Sequence, residues 1–277
     1  MSTRRLCILG AGSMGRALIS GLLRSGTRAE LLSVGESVPA ARELLARELA
    51  VSATADNAAA IAGAQVIVLA VKPQDVGAVL RPLAPQLSAA RPLLLSVCAG
   101  VRVQELEACC GSEVPVVRAM PNRPALVGAG ISGVYAPPQV AAALRSSAEQ
   151  ILSAVGEVVW VPTEDALDAV TAVSGSGPAY FFLLAECMAE AGRELGLEHA
   201  TAQRLALATL HGAGLLAHAP AADLVQLRAA VTSRGGTTEA ALRVLESEDL
   251  RGIVGRALAA AAARGRELAV TPQGLSR

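Results

Sequence analysis

The chain has 277 residues, 52% of them apolar and 17% charged, and its 24 basic and 24 acidic side chains cancel. That suits one large domain or two ordinary ones and is too apolar for a disordered chain. Zero net charge and 2% aromatics leave neither the basic excess nor the stacking surfaces that would hold nucleic acid or an anionic membrane.

In chain order, short apolar runs rich in Val, Ile and Leu fall at 5–10, 30–34, 65–71, 93–99, 115–120, 131–135 and 158–161. Most are continuous rather than alternating, as strands buried on both faces are. Helical periodicity fills the gaps at 14–24, 39–49, 57–62, 74–87, 103–109 and 139–155. Strand and helix alternating through short links predict an α/β domain with a doubly wound parallel sheet, over residues 1–162. Beyond Pro162 no further strand is visible. Periodic segments at 164–173, 179–195, 200–217, 222–231, 238–246 and 250–268 predict an all-helical second domain, 163–277.

The first strand runs directly into Gly10-Ala11-Gly12-Ser13-Met14-Gly15. This is G-x-G-x-x-G between a strand and a helix, the setting in which the pattern marks a dinucleotide site. Gly10 permits the tight turn, Gly12 lets a pyrophosphate approach the backbone, and Gly15 lets helix and strand pack closely. The amides of Ser13 and Met14, at the helix start, face the phosphates. Glu36 lies 21 residues after Gly15, at the end of the second strand. An acid there holds the ribose hydroxyls of NAD, whereas a 2′-phosphate calls for Arg or Lys; the nearest is Arg42. By itself this spacing favours NAD. Ala70-Val71-Lys72-Pro73, Ala99-Gly100 and Asn122 close three further strands, whose ends are expected to border the nicotinamide ring. Lys72 is the single lysine beside 23 arginines, and it falls at that functional edge.

Two glycine-rich breaks interrupt the helical half: Ser174-Gly175-Ser176-Gly177-Pro178 and Thr232-Ser233-Arg234-Gly235-Gly236-Thr237-Thr238-Glu239. The second places hydroxyls and free amides at a helix start, a site for a small anion such as a carboxylate. Between them, residues 205–222 carry no formally charged side chain over 18 positions. Two histidines, two glycines and Pro220 make this a poor membrane span. A helix apolar nearly all round must be covered on more than one side, so a homodimer through the helical domain is expected.

With these segments in order, the sequence resembles the pyrroline-5-carboxylate reductase family. GAGSMG at 10–15, AVKP at 70–73, MPN at 120–122, SGSGPAY at 174–180 and VTSRGGTTEAAL at 231–242 carry the resemblance, and the last two are the most specific. It implies a dinucleotide-binding domain followed by a helical dimerisation domain, with dimers that can assemble into decamers. It implies reduction of the C=N bond of 1-pyrroline-5-carboxylate to proline, with NADPH as the cofactor and NADH as the alternative that Glu36 favours. Carried over residue by residue, Ser233, Gly236, Thr237 and Thr238 hold the substrate carboxylate, and the Thr238 hydroxyl lies near the ring nitrogen. Ser174 shapes the pocket wall, Asn57 contacts the cofactor ribose, and Lys72 sits beside the nicotinamide half. The family usually has Pro where this chain has Arg234.

Other readings start from the same glycine turn: a different imine reductase, a 3-hydroxyacid dehydrogenase, or a cofactor-binding regulator. Hydroxyacid dehydrogenases of this plan generally place a catalytic lysine in the helical domain; here the single lysine is in the first. Five cysteines without a CxxC pair, and three histidines without ligand spacing, predict buried thiols and no metal site. With no signal peptide visible at the N-terminus, a cytoplasmic enzyme is expected.

Overall fold

In the computed structural model, residues 4–270 are described. The outer ends of the two predicted domains, 1–3 and 271–277, lie outside the described residues. The chain falls into two compact units. One runs to Gly175 and takes in residues 261–270; the other is Ser176–Ala260.

The first unit is built on an eight-stranded sheet. Its elements are β1 (Leu6–Leu9), α1 (Ser13–Arg24), β2 (Leu32–Gly35), α2 (Pro39–Leu49), β3 (Ser52–Thr54), α3 (Asn57–Ile61) and β4 (Val66–Leu69). They continue through α4 (Val76–Leu80), α5 (Ala84–Ala90), β5 (Leu93–Ser96), α6 (Val103–Cys110), β6 (Val116–Pro121), β7 (Gly130–Tyr135), α7 (Ala142–Leu152), β8 (Gly156–Trp160) and α8 (Ala166–Val170). The strand order is β3-β2-β1-β4-β5-β6-β7-β8. Alternate residues of β1 feed opposite faces, as the pleat requires. Leu6 and Ile8 join a cluster with Leu18, Leu45 and Ile151, whereas Cys7 and Leu9 join one with Leu80, Leu87 and Leu106. Helices therefore cover both faces, which is the doubly wound arrangement expected from the continuous apolar runs.

Three expectations need correction. Ser52–Thr54 is a strand the apolar pattern missed, because it is a three-residue, half-exposed edge with little to bury. The sheet is not wholly parallel, since β6 and β7 pair antiparallel and β7 and β8 run together. The single helix read at 74–87 is broken into 3-10 turns at Pro73–Asp75 and Arg81–Leu83 and the short helices α4 and α5. Pro82 and Pro85 account for that break, since a proline interior to a helix lacks the amide of the i−4 bond.

The second unit holds α9 (Gly177–Glu194), α10 (His199–Ala217), α11 (Leu224–Ala230), α12 (Thr237–Ser247) and the start of α13 (Leu250–Val270). α9 and α10 pack along each other, with Ala185, Ala202 and Ala206 buried. The change of sequence pattern at 162 lies ahead of the break between units. α8 packs on β6 and β7, and a Cβ at Gly133 would strike Val170, so this first helical stretch stays with the sheet. Among the described residues, no helix is long and apolar enough to cross a membrane.

Candidate active site: a dinucleotide crevice and a hydroxyl-rich helix start

The crevice forms where the topology reverses. β1 pairs with β2 on one side and β4 on the other, with Leu9 level with both Gly35 and Leu69. The turns after these three strands therefore share one edge of the sheet, the place where open α/β sheets bind ligands.

Each glycine of the turn has a distinct job. Gly10 has φ of +95°, and a Cβ there would come within 2.7 Å of the Ala70 carbonyl oxygen. At Gly15 a Cβ would overlap the Gly10 carbonyl. Gly12 is the N-cap of α1 with no side-chain cap, and a Cβ there would meet nothing within 4 Å. The fold itself thus tolerates a side chain at Gly12, and the open space above it fits a pyrophosphate resting on the α1 amides. Ser13 is exposed beside it, and Met14 packs partly into the core.

Glu36 is drawn into this turn. Its Oε2 accepts the Ala11 amide at 2.7 Å, and its Oε1 accepts the Val38 amide at 2.9 Å. Arg42, which the spacing alone put a helical turn away, reaches back. Its Nη1 donates to the carbonyls of Glu36 and Ser37, each at 2.8 Å. An acid and a base therefore both lie at the end of β2. Asn57, the first residue of α3, sets its Oδ1 against the space above Gly35, so it stands beside the same turn.

The other strand ends carry the remaining predicted residues. Ala70 donates its amide to Leu9 and Val97 donates to Leu69, which levels these turns. Lys72 is exposed, and Pro73 opens the 3-10 turn after it. Ala99 is exposed beside Gly100, whose φ is +76°. Beneath them Cys98, buried as the cysteine pattern predicted, points its thiol at the carbonyls of Val71 (3.2 Å) and Leu69 (3.4 Å). Burial pushes that thiol up to about 11, so it stays a donor at neutral pH. Asn122 is buried, and its Oδ1 accepts the Ile131 amide at 2.9 Å, which fixes the turn after β6.

Ser174 lies in a π-helical turn, Thr171–Gly175, and its Oγ donates to the Val170 carbonyl at 3.0 Å. A Cβ at Gly175 would come within 2.8 Å of the Met120 methyl, so these two residues, far apart in sequence, meet at the end of β6. Such single-turn π segments concentrate at functional sites. A buried ion pair anchors this region. Arg118, 7% exposed, donates from Nη1 to Glu164 Oε1 at 2.6 Å, and the same oxygen accepts the Val103 amide at 2.7 Å. Neither partner stands out in the sequence, because only the fold brings them together over 46 residues.

In the second unit, loop 233–238 turns tightly into α12. The Gly236 amide bonds to the Ser233 carbonyl at 3.0 Å, and Gly235 between them has φ of +71°. The Ser233 hydroxyl lies over Gly236, where a Cβ would come within 2.6 Å of it. Thr237 and Thr238 are the first two helical residues, so their amides have no partner within the helix. The helix starts one residue earlier than its apolar pattern predicts, which puts both threonines in its first turn.

Comparison with known proteins decides the family. A pyrroline-5-carboxylate reductase of Pseudomonas aeruginosa is 46% identical over 97% of this chain and 98% of that protein. The chain belongs to the pyrroline-5-carboxylate reductase family. One from Mycobacterium tuberculosis is 41% identical over 97% of this chain and 98% of its own length. A family model described as pyrroline-5-carboxylate reductase dimerisation matches residues 164–268. One described as NADP oxidoreductase, coenzyme F420-dependent, matches residues 5–100. Among solved structures, a pyrroline-5-carboxylate reductase from Coxiella burnetii superimposes with a TM-score of 0.94 at 39% identity, covering 98% of this chain and all of the other. The Plasmodium falciparum pyrroline carboxylate reductase, solved with NADP bound, gives 0.83 at 29% identity, covering 97% and 99%.

Proposed function

We propose that this chain reduces 1-pyrroline-5-carboxylate to L-proline, the last step of proline biosynthesis, in the cytoplasm. NADPH is the cofactor, and NADH is a usable alternative. Loop 233–238 carries this reading within the family, since the Thr237 and Thr238 amides, without a partner inside the helix, and the hydroxyls at the start of α12 suit a small carboxylate.

The residues divide the work. The turn 10–15 binds the pyrophosphate through the α1 amides, and Glu36 and Asn57 meet the adenosine ribose. Ala70, Val71, Lys72, Pro73, Ala99, Gly100 and Asn122 line the nicotinamide end, with Lys72 beside the ring. Ser174 walls the substrate pocket. Ser233, Thr237 and Thr238 grip the carboxylate, Gly236 shapes the turn that presents them, and the Thr238 hydroxyl steadies the ring nitrogen. When bound, the reduced nicotinamide supplies the hydride that adds to the imine carbon. A cyclic imine is basic enough to arrive protonated, so the protein's contribution is chiefly orientation at near-attack distance.

The functional division falls at 162/163, and the helical part supports a homodimer that assembles into a decamer. α9 and α10 leave Phe181, Phe182, Leu183, Leu184, Leu215 and Leu216 more than half exposed, apolar surface on more than one side of a helix that calls for a cover. Turnover of 1-pyrroline-5-carboxylate with NADPH, measured beside a 3-hydroxy acid with NADP, tests the reading. Reduction of the imine alone is expected; oxidation of the hydroxy acid alone would overturn it.

A further inference from the structure

We infer that Glu239 is a positioning residue for the substrate-carboxylate loop, taking over the turn-fixing role that a proline at position 234 would have. The inference rests on the proposal that loop 233–238 binds the carboxylate. The turn 233–236 is closed by the Gly236 amide on the Ser233 carbonyl, with φ of +71° at its third residue. Arg234, at its second residue, is absent from the non-glycine residues with positive φ. This is the type II pattern, in which proline at the second position pre-sets the backbone and glycine at the third accepts the positive φ. Here the second residue is Arg234, so the free loop has more conformations to lose on ordering.

Glu239 supplies a constraint in its place. Its Oε2 accepts the Gly235 amide at 2.8 Å, across the helix start, and Arg243 lies 3.8 Å behind that carboxylate. Glu239 is the third residue of α12, where a glutamate usually reaches back to the N-cap amide. That amide belongs to Gly236 and is already used by Ser233, so the carboxylate reaches one residue further and pins Gly235 itself. With Gly235 held and Gly236 closed on Ser233, the amides and hydroxyls of Thr237 and Thr238 stay clear for an incoming anion.

The test is steady-state kinetics with 1-pyrroline-5-carboxylate on wild type, Glu239→Ala, Glu239→Gln and the double variant Arg234→Pro/Glu239→Ala. Glu239→Ala is expected to raise KM for the imino acid about 3- to 10-fold, the range of one lost hydrogen bond, with kcat nearly unchanged. Glu239→Gln keeps an acceptor and is expected to stay within about 2-fold of wild type. Arg234→Pro is expected to reverse much of the KM rise seen in Glu239→Ala, because it fixes the same turn by another route. An unchanged KM in Glu239→Ala, or a loss that Arg234→Pro leaves untouched, overturns the inference. Absence of turnover in the wild type would instead overturn the proposed function, so the two failures are distinct. Unchanged NADPH affinity in every variant separates this role from a general loss of fold, which would lower both.

Discussion

The sheet-based unit and the helical unit handle apolar residues in opposite ways. In the first, every β1, β4 and β5 residue is buried, and two hydrophobic clusters seal the two faces of the sheet. In the second, α9 and α10 bury little beyond small residues such as Ala185, Ala202 and Ala206, while Phe182 stays 59% and Leu215 62% exposed. One unit completes its own core; the other leaves large apolar side chains exposed along its helices. The same contrast separates the chemistry. The sheet unit carries the glycine turn 10–15, and the unit with exposed helices carries loop 233–238, to which we assign the carboxylate.

The largest expected effect strikes the first unit alone. Gly12→Val places a branched side chain in space the fold leaves open. Folding and the thermal midpoint are expected to hold while NADPH binding, followed by fluorescence titration, is lost. Gly15→Val should behave differently, since even its Cβ would collide with the Gly10 backbone. It is expected to unfold the unit, and the pair distinguishes a cofactor glycine from a packing glycine.

The second expected effect probes the exposed helices. Sedimentation at micromolar concentration is expected to show no monomer for the wild type, and Leu215→Glu is expected to shift it toward monomer. A stable, active wild-type monomer would remove the contrast between the units.

A smaller effect comes from the buried thiols of the sheet unit. Burial pushes Cys7 and Cys98 up from about 9 to about 11. Between these values the unfolded chain has lost protons that the folded chain keeps, so stability present below pH 9 falls as pH rises toward 11. The urea midpoint is expected to drop from pH 8.5 to pH 10.5, and Cys98→Ala is expected to reduce the drop.

Most of the sheet was legible because strands buried on both faces read as continuous apolar runs. The turn 10–15 was legible because Gly10 and Gly15 answer to separate backbone constraints, and Gly12 completes the spacing between a strand and a helix. The short β3 was not, since a half-exposed edge strand carries almost no apolar signal. The reversal at β7 was not either, because a run such as 131–135 does not encode direction. Candidate site residues carried by motifs, such as Ser174 and Thr238, could be named from the chain alone. Partners made by the fold were not: Arg42 on the Glu36 carbonyl, Met120 against Gly175, and Arg118 with Glu164 join positions whose spacing follows no local period. Glu239 stood inside a recognised motif, yet its bond to Gly235 depends on where α12 begins, the feature that periodicity fixes least well.

The most direct measurement pairs kcat/KM for 1-pyrroline-5-carboxylate with NADPH affinity in Thr238→Val, which keeps the branched shape and removes only the hydroxyl. Loss of one hydrogen bond to a charged substrate, worth roughly 1.5–3 kcal/mol, corresponds to a fall in kcat/KM of roughly 10- to 150-fold. NADPH affinity is expected to stay at its wild-type value, because the dinucleotide turn belongs to the other unit. A kcat/KM equal to wild type would leave the hydroxyl without a role, and a parallel loss of NADPH affinity would contradict the division of cofactor and carboxylate between the two units.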